Sequence, residues 1–275
     1  MLPTSRAQIS GTATARALAF LARRANAAAR VASRSLLDTV YPPLCPGCDT
    51  AWLLPRPGET QRLPLCRNCL SLLSALEKPF CNTCGQAFDG PPGMDDFRCS
   101  NCERRRLHFD FAIAPFRSDG LLRDLIHQFK FARRSTLRLP LGRLLAAGLH
   151  DPRFEGEDWI MVPVPIHRRR QRQRTFNQAR ELAAICSQYS GLPVIEALVR
   201  TRHTPPQSRL NRNQRLANLA DAIHPHPGRA PKVRGRAVLL IDDVFTTGAT
   251  GDICAKVLRT RCAARRVAVL TLARG

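Results

Sequence analysis

The sequence predicts an α/β protein: a parallel sheet flanked by helices, with a small cysteine-rich module ahead of it. Three observations carry this. From about His108 onward, segments of strand pattern alternate with segments of helix pattern, the signature of βαβ units. Eight of the eleven cysteines form four C-x-x-C pairs between Cys45 and Cys102, in a stretch rich in Pro and Gly and poor in periodicity. A chain of 275 residues with 44% hydrophobic content can bury one sizeable core beside a small extra unit. The expected division is a basic Ala/Arg-rich segment at 1–37, the Cys-rich module at 38–107 and the sheet domain at 108–275.

The elements follow in chain order. Residues 1–37 hold six Arg and no Asp, Glu or Lys. The stretch "ATARALAFLARRANAAARVASRSLL" is helix-prone, with a weak apolar stripe at Leu18, Leu21, Ala25, Ala28 and Ala32. It resembles an organelle transit peptide, but a basic tail or peripheral helix is the favoured reading. "HFDFAIAPF" reads as a strand. "GLLRDLIHQFKFARR" reads as a helix with Leu121, Leu122, Leu125, Ile126 and Phe129 on one face. "DWIMVPVP" is a strand, "NQARELAAICSQY" a helix and "LPVIEALVR" an extended segment. "HPHPGRAP", 224–231, reads as a loop. "RAVLLID" is a strand, "GDICAKVLRTR" a helix and "RRVAVLTLAR" a final strand.

The charge is unusual: 43 Lys plus Arg against 21 Asp plus Glu, a net +22. Such an excess fits a polyanionic partner, whether nucleic acid, phosphorylated metabolite or membrane surface. The bland reading is a proteome that prefers Arg. No stretch approaches the roughly 20 apolar residues needed to cross a bilayer, so no transmembrane segment is expected. Aromatic content of 6% argues against a base-stacking platform.

The pairs Cys45/Cys48, Cys66/Cys69, Cys81/Cys84 and Cys99/Cys102 have the spacing that turns two thiolates onto one tetrahedral cation. Eight ligands suit two structural Zn²⁺ ions. The economical assignment is sequential, Cys45, Cys48, Cys66 and Cys69 for one and Cys81, Cys84, Cys99 and Cys102 for the other; an interleaved cross-brace is compatible with the spacing. Four pairs in series favour metal over a redox role or a disulfide framework. Cys186, Cys254 and Cys262 stand in apolar surroundings and read as small core residues.

"VLLIDDVFTTGAT", 238–250, runs an apolar strand into two carboxylates and then a turn of small and hydroxyl residues. At the carboxyl end of a parallel strand such side chains face the crevice where α/β proteins bind ligands. Asp242 and Asp243 can accept hydrogen bonds from a vicinal diol, directly or through hydrated Mg²⁺. Thr246, Thr247, Gly248, Ala249 and Thr250 lead into a helix, where successive N–H groups and hydroxyls make an anion nest. A ribose carrying a 5-phosphate satisfies both halves.

This stretch resembles the phosphoribosyl-pyrophosphate (PRPP) motif of type I phosphoribosyltransferases. Together with the cysteine module, the chain resembles the ComF family of competence-associated proteins, which includes GntX-type proteins. "LIHQFKFARR" at 125–134, "VPVPIHRRRQRQRTFNQA" at 162–179 and "RTRHTPPQSRLNRNQRLANLADA" at 200–222 carry the resemblance further; it covers about Leu37 onward. It implies a type I phosphoribosyltransferase-like sheet, PRPP as ligand with Mg²⁺, and Arg174 and Lys130 at the pyrophosphate. A pyrophosphate-binding loop is expected at Arg168–Arg174, and a flap over the ligand at 200–218. The family usually has Gly where this chain has Thr175, so a left-handed backbone there would be strained. The expected function is PRPP binding, with phosphoribosyl transfer and release of pyrophosphate as its enzymatic form, linked to DNA uptake in the cytoplasm. The alternative is a non-catalytic module handling single-stranded DNA for the competence machinery, in contact with its other proteins. No motif names the acceptor or a catalytic group.

Overall fold

Strands buried on both faces should be apolar throughout, and the three longest strands of this protein are nearly so. In the computed structural model, which describes residues 44–50, 65–88, 90, 97–132, 134–202 and 222–275, these are β3 (Trp159–Pro163), β6 (Ala237–Phe245) and β7 (Arg266–Arg274). Two short strands, β1 (Ala112–Ile113) and β2 (Phe116–Arg117), complete a five-stranded sheet. Its order is β1-β7-β6-β3, β2 also pairs with β7, and every pairing is parallel. Beyond β3, Val194 makes one more parallel bridge to Met161. The expected basic segment at 1–37 lies outside the described residues, as does most of the expected flap at 200–218.

The described residues fall in two units, Met1–Thr60 and Gln61–Gly275. In the first, 44–50 form a tight knuckle: the Cys45 carbonyl accepts from the N–H groups of Cys48 at 3.3 Å and Asp49 at 2.7 Å, and Cys45 N donates to Thr50 O at 2.9 Å. The second unit holds the sheet and its helices. These are α1 (Arg67–Ser71), α2 (Ser100–Glu103), α3 (Gly120–Phe131), α4 (Arg138–Ala146), α5 (Arg168–Arg174), α6 (Gln178–Ser190) and α7 (Ala249–Arg261). A separate antiparallel pair joins β4 (Leu198–Arg200) to β5 (Ile223–Pro225).

The helix read at 120–134 buries Leu122, Leu125, Ile126 and Phe129, as its periodicity requires. Helix α6 packs on β3, β6 and α4. It approaches α4 so closely that a Cβ on Gly142 would sit 2.5 Å from Ile185. Helix α7 packs on β5, β6 and β7. Cys186, Cys254 and Cys262 are buried core residues as expected.

Three local expectations change. The strand "HFDFAIAPF" is split into β1 and β2 around Ala114-Pro115, since proline offers no N–H to a ladder. Residues 224–231 are partly regular: Ile223–Pro225 form β5, and Ala230–Val233 a single 3₁₀ turn. The arginine run expected as a loop is instead helix α5.

Candidate functional site

Strand β6 delivers Asp242 and Asp243 to the carboxyl edge of the sheet. Adjacent strand residues point to opposite faces, yet both acids line one cleft of 170 Å³, at the level where the ladder with β3 has stopped at Pro163–Ile241 while β6 runs on beside β7. Asp243 is 8% exposed, and its Oδ1 lies 2.7 Å from Lys130 Nζ on α3. Asp242 is half-buried, and its Oδ1 accepts from the Asp243 N–H at 2.9 Å. Burial first, and the neighbouring Asp243 charge second, push the Asp242 carboxyl up to about 7, against the pull of Lys130 and Arg174.

The rest of the cleft's charged lining is cationic. Besides Lys130 it presents Arg170, Arg174 and Arg200. Arg170 and Arg174 stand four residues apart on α5 and so share a face, whereas Arg168, Arg169 and Arg172 are exposed. Burial draws Arg174 below the usual guanidinium value, while the charges of Asp243 and Asp242 push it back up. Its Nη1 donates to Gln178 Oε1 at 3.1 Å, and its guanidinium lies 5.0 Å from the centre of the Phe131 ring. Gln178 is 2% exposed. Asn177 caps α6 by accepting from Ala179 N at 3.1 Å, and donates to the Val164 carbonyl at 3.1 Å, which ties α6 to the end of β3.

The turn after β6 lies beside this cleft. Asp242 and Thr250 line both the cleft and a smaller 60 Å³ hollow formed by Thr246, Thr247, Gly248, Ala249 and Gly251. Gly248 is the N-cap of α7 at φ 72°. A Cβ there would meet Phe245 Cζ at 2.5 Å, so both backbone and space demand glycine. The first N–H groups of a helix have no partner within it; at the start of α7, Ala249 N donates to Thr247 Oγ1 at 3.4 Å. An acid also stands in that first turn, but Asp252 is buried and accepts from the His108 N–H at 2.8 Å and lies 3.0 Å from its Nδ1.

Of the two cysteine groups that the sequential assignment gives, the second, Cys81, Cys84, Cys99 and Cys102, is gathered within one unit and could hold a metal ion. None of the eleven cysteines is in a disulfide. In the second group all four sulfurs lie within 4.8 Å of one another, and Cys84 Sγ is 3.7 Å from Cys99 Sγ. Zn–S bonds of about 2.3 Å in a tetrahedron give S–S edges of about 3.8 Å, so the donor set fits zinc. Burial pushes the Cys84 thiol up to about 11 and Cys102 further up. Cys81 feels the same burial, but hydrogen bonds from the backbone of Cys99, Cys84 and Thr83 outweigh it and bring the thiol down to about 7. The group belongs to the same buried cluster as Phe109 and, from the sheet, Ala112, Val267 and Val269.

The structure therefore gathers Lys130, Arg174, Asp242 and Asp243 in one cleft and Thr246–Thr250 beside it. Arg170 and Arg200 join them without having been singled out as cleft residues. The four-residue step from Arg170 to Arg174 was a usable signal, once the run is read as helical. Arg200 opens the 200–222 stretch that carries the family resemblance, and that was its signal.

Residues 36–104 match the double zinc ribbon domain family. Over 222 residues the chain is 32% identical to the DNA utilization protein YhgH of Escherichia coli K12, covering 78% of this chain and 93% of that protein. It is 29% identical over 199 residues to competence protein F of Haemophilus influenzae, covering 71% and 84%. It is 26% identical over 235 residues to competence protein ComFC of Bacillus subtilis, covering 82% and 90%.

Proposed function

The chain belongs to the ComF family of competence-associated proteins and carries an N-terminal double zinc ribbon, and from that premise we propose that its sheet domain, residues 108–275, binds PRPP. One observation carries the reading: a carboxylate pair near the end of β6 shares one cleft with four cations, beside a glycine-dependent turn that opens helix α7. The parts suit a ribose with phosphates at both ends. Asp242 and Asp243 would accept from the ribose hydroxyls. The N–H groups and hydroxyls of Thr246–Thr250 would hold the 5-phosphate. Lys130, Arg170, Arg174 and Arg200 would neutralise the pyrophosphate. Lys130 would have to exchange part of its bond to Asp243 for the ligand. Mg²⁺ fits the same carboxylates by its preference for oxygen donors, and its chemistry would be to screen the pyrophosphate charge.

Transfer would break the bond from C1 to pyrophosphate as an acceptor forms its own bond to C1. The four cations would then stabilise the charge gathering on the departing oxygens. The relatives' names tie such a protein to competence and DNA utilization, and a cytoplasmic place, in contact with other competence proteins, is part of the proposal. Calorimetric titration with PRPP and Mg²⁺ tests it. The wild type should bind, and Asp242→Asn with Asp243→Asn should abolish binding while leaving the protein folded. A folded double mutant that binds PRPP like the wild type would refute the ribose assignment.

A further inference from the structure

Arg274, at the end of β7, bridges the second cysteine group and the turn after β6. Its Nε donates to the Cys84 carbonyl at 3.2 Å and its Nη2 to Gln86 Oε1 at 2.6 Å. From the same guanidinium, Nη1 donates to the carbonyls of Phe245 at 3.0 Å and Thr246 at 2.8 Å, and to that of Gly275. The plane lies 5.2 Å from the centre of the Phe245 ring, the ring whose Cζ crowds Gly248. Between the two sites runs a cleft of 270 Å³, lined by Cys84, Cys99 and Cys102 on one side and Thr246 and Thr247 on the other.

The knuckle is anchored from other directions too. Thr83 O accepts from Ala112 N on β1 at 2.8 Å, and Asn82 O accepts from Arg153 Nη1 at 2.8 Å. Its backbone carbonyls are therefore part of the scaffold at the carboxyl end of the sheet. A four-cysteine knuckle keeps its shape through its metal, because ribbons of this kind fold on binding it. An Arg fork is rigid and planar, so it transmits position where a flexible ammonium would not.

We propose that Arg274 is a positioning residue: by holding Cys84 O and Gln86 at one end and Phe245 O and Thr246 O at the other, it makes the conformation of the 245–248 turn depend on metal at Cys81, Cys84, Cys99 and Cys102. Loss of the metal frees the knuckle, the fork loses its anchor, the Thr246 carbonyl loses this donor, and the Phe245 carbonyl is left with the Gly275 N–H at 3.0 Å. The second ribbon is then part of the ligand site's frame. The structural half of this stands on contacts alone; the consequence for ligand rests on the PRPP reading.

Hydrogen exchange on the full chain tests it, comparing peptides over 244–250 with peptides over 238–241 at the centre of β6. Chelation of wild-type protein should raise exchange over 244–250 about tenfold and leave 238–241 unchanged. Arg274→Ala and Arg274→Lys, shown by metal assay to keep wild-type zinc, should show the raised exchange without chelator and respond little to chelation. Gln86→Ala, which removes one of the contacts and is milder for folding, should give a smaller shift in the same direction. Unchanged exchange at 244–250 on chelation, wild-type exchange in zinc-loaded Arg274→Lys, or a rise at 238–241 equal to that at 244–250 would each overturn the proposal. PRPP titration of the same samples separates the two readings. If wild-type protein binds no PRPP while exchange behaves as expected, the ligand assignment fails and the coupling stands. If wild type binds and chelation or Arg274→Lys weakens binding about tenfold, both hold.

Discussion

Thr175 closes helix α5 at φ 71°, in the left-handed region that β-branched residues avoid. Its Oγ1 donates to the carbonyl of Arg174 at 2.5 Å. Strain of this kind costs about 1–3 kcal/mol and persists where surrounding structure imposes it. Here the imposing structure is local. Arg174 must face the cleft just before the turn, and Asn177 must cap α6 just after it. Thr175→Gly should therefore stabilise the fold by about 1 kcal/mol, less than the full strain because glycine is looser in the unfolded chain. Equilibrium urea denaturation measures it. A midpoint equal to or below wild type would show that threonine sits there without cost. The doubt was readable from the sequence, since a threonine stands where relatives of the motif place glycine; the sign of φ was not.

At the scale of elements, the turn joining β6 to α7 is set by the Phe245 ring. Gly248→Ala should cost about 2–4 kcal/mol in thermal or denaturant unfolding, from the left-handed backbone together with the clash at Phe245 Cζ. Shrinking the ring should return part of that loss: Phe245→Leu with Gly248→Ala should be less destabilised than the sum of the two single changes. Strict additivity would mean that the ring does not limit the turn. How much was legible differs from element to element. Strands β3, β6 and β7 were plain because burial on both faces leaves a continuous apolar run. Helix α4 was hidden by Pro140 and Gly142. The proline falls in the first turn, where its missing N–H costs little, and the glycine serves the contact with Ile185. Helix α5 buries no residue, so it has no apolar period to find. The acid–threonine turn was legible because its residues are neighbours in sequence. The bond from Arg274 to Cys84 spans 190 positions, and no local pattern announces it.

Across the whole molecule 43 Lys and Arg give the net +22, and the five arginines of α5 are sorted by face. Arg170 and Arg174 turn into the cleft, and Arg168, Arg169 and Arg172 face outward. We expect single-stranded DNA to bind the outward set, with steep salt dependence and little regard for base sequence, because counterion release would drive it. Arg168→Ala, Arg169→Ala and Arg172→Ala together should lower the slope of log K against log salt by about 2, at roughly 0.7 per phosphate contact. The Asp242 and Asp243 changes should leave the slope alone. Anisotropy titrations at several salt concentrations decide it, and an unaltered slope in the arginine variant would clear this face of the role. The sheet order has a consequence for how the chain is made. Strand β7 pairs with β1 and β2 on one side and β6 on the other, yet it follows all of them in sequence. A ribosome delivers this central strand after the three strands it pairs with. Until Arg266–Arg274 clears the exit tunnel, β1 and β2 lack the strand they pair with, and β6 has a bare edge. The nascent chain is thus open to mispairing from the emergence of β1 until that of β7, and it needs shelter most while the apolar edge of β6 is out and β7 is not.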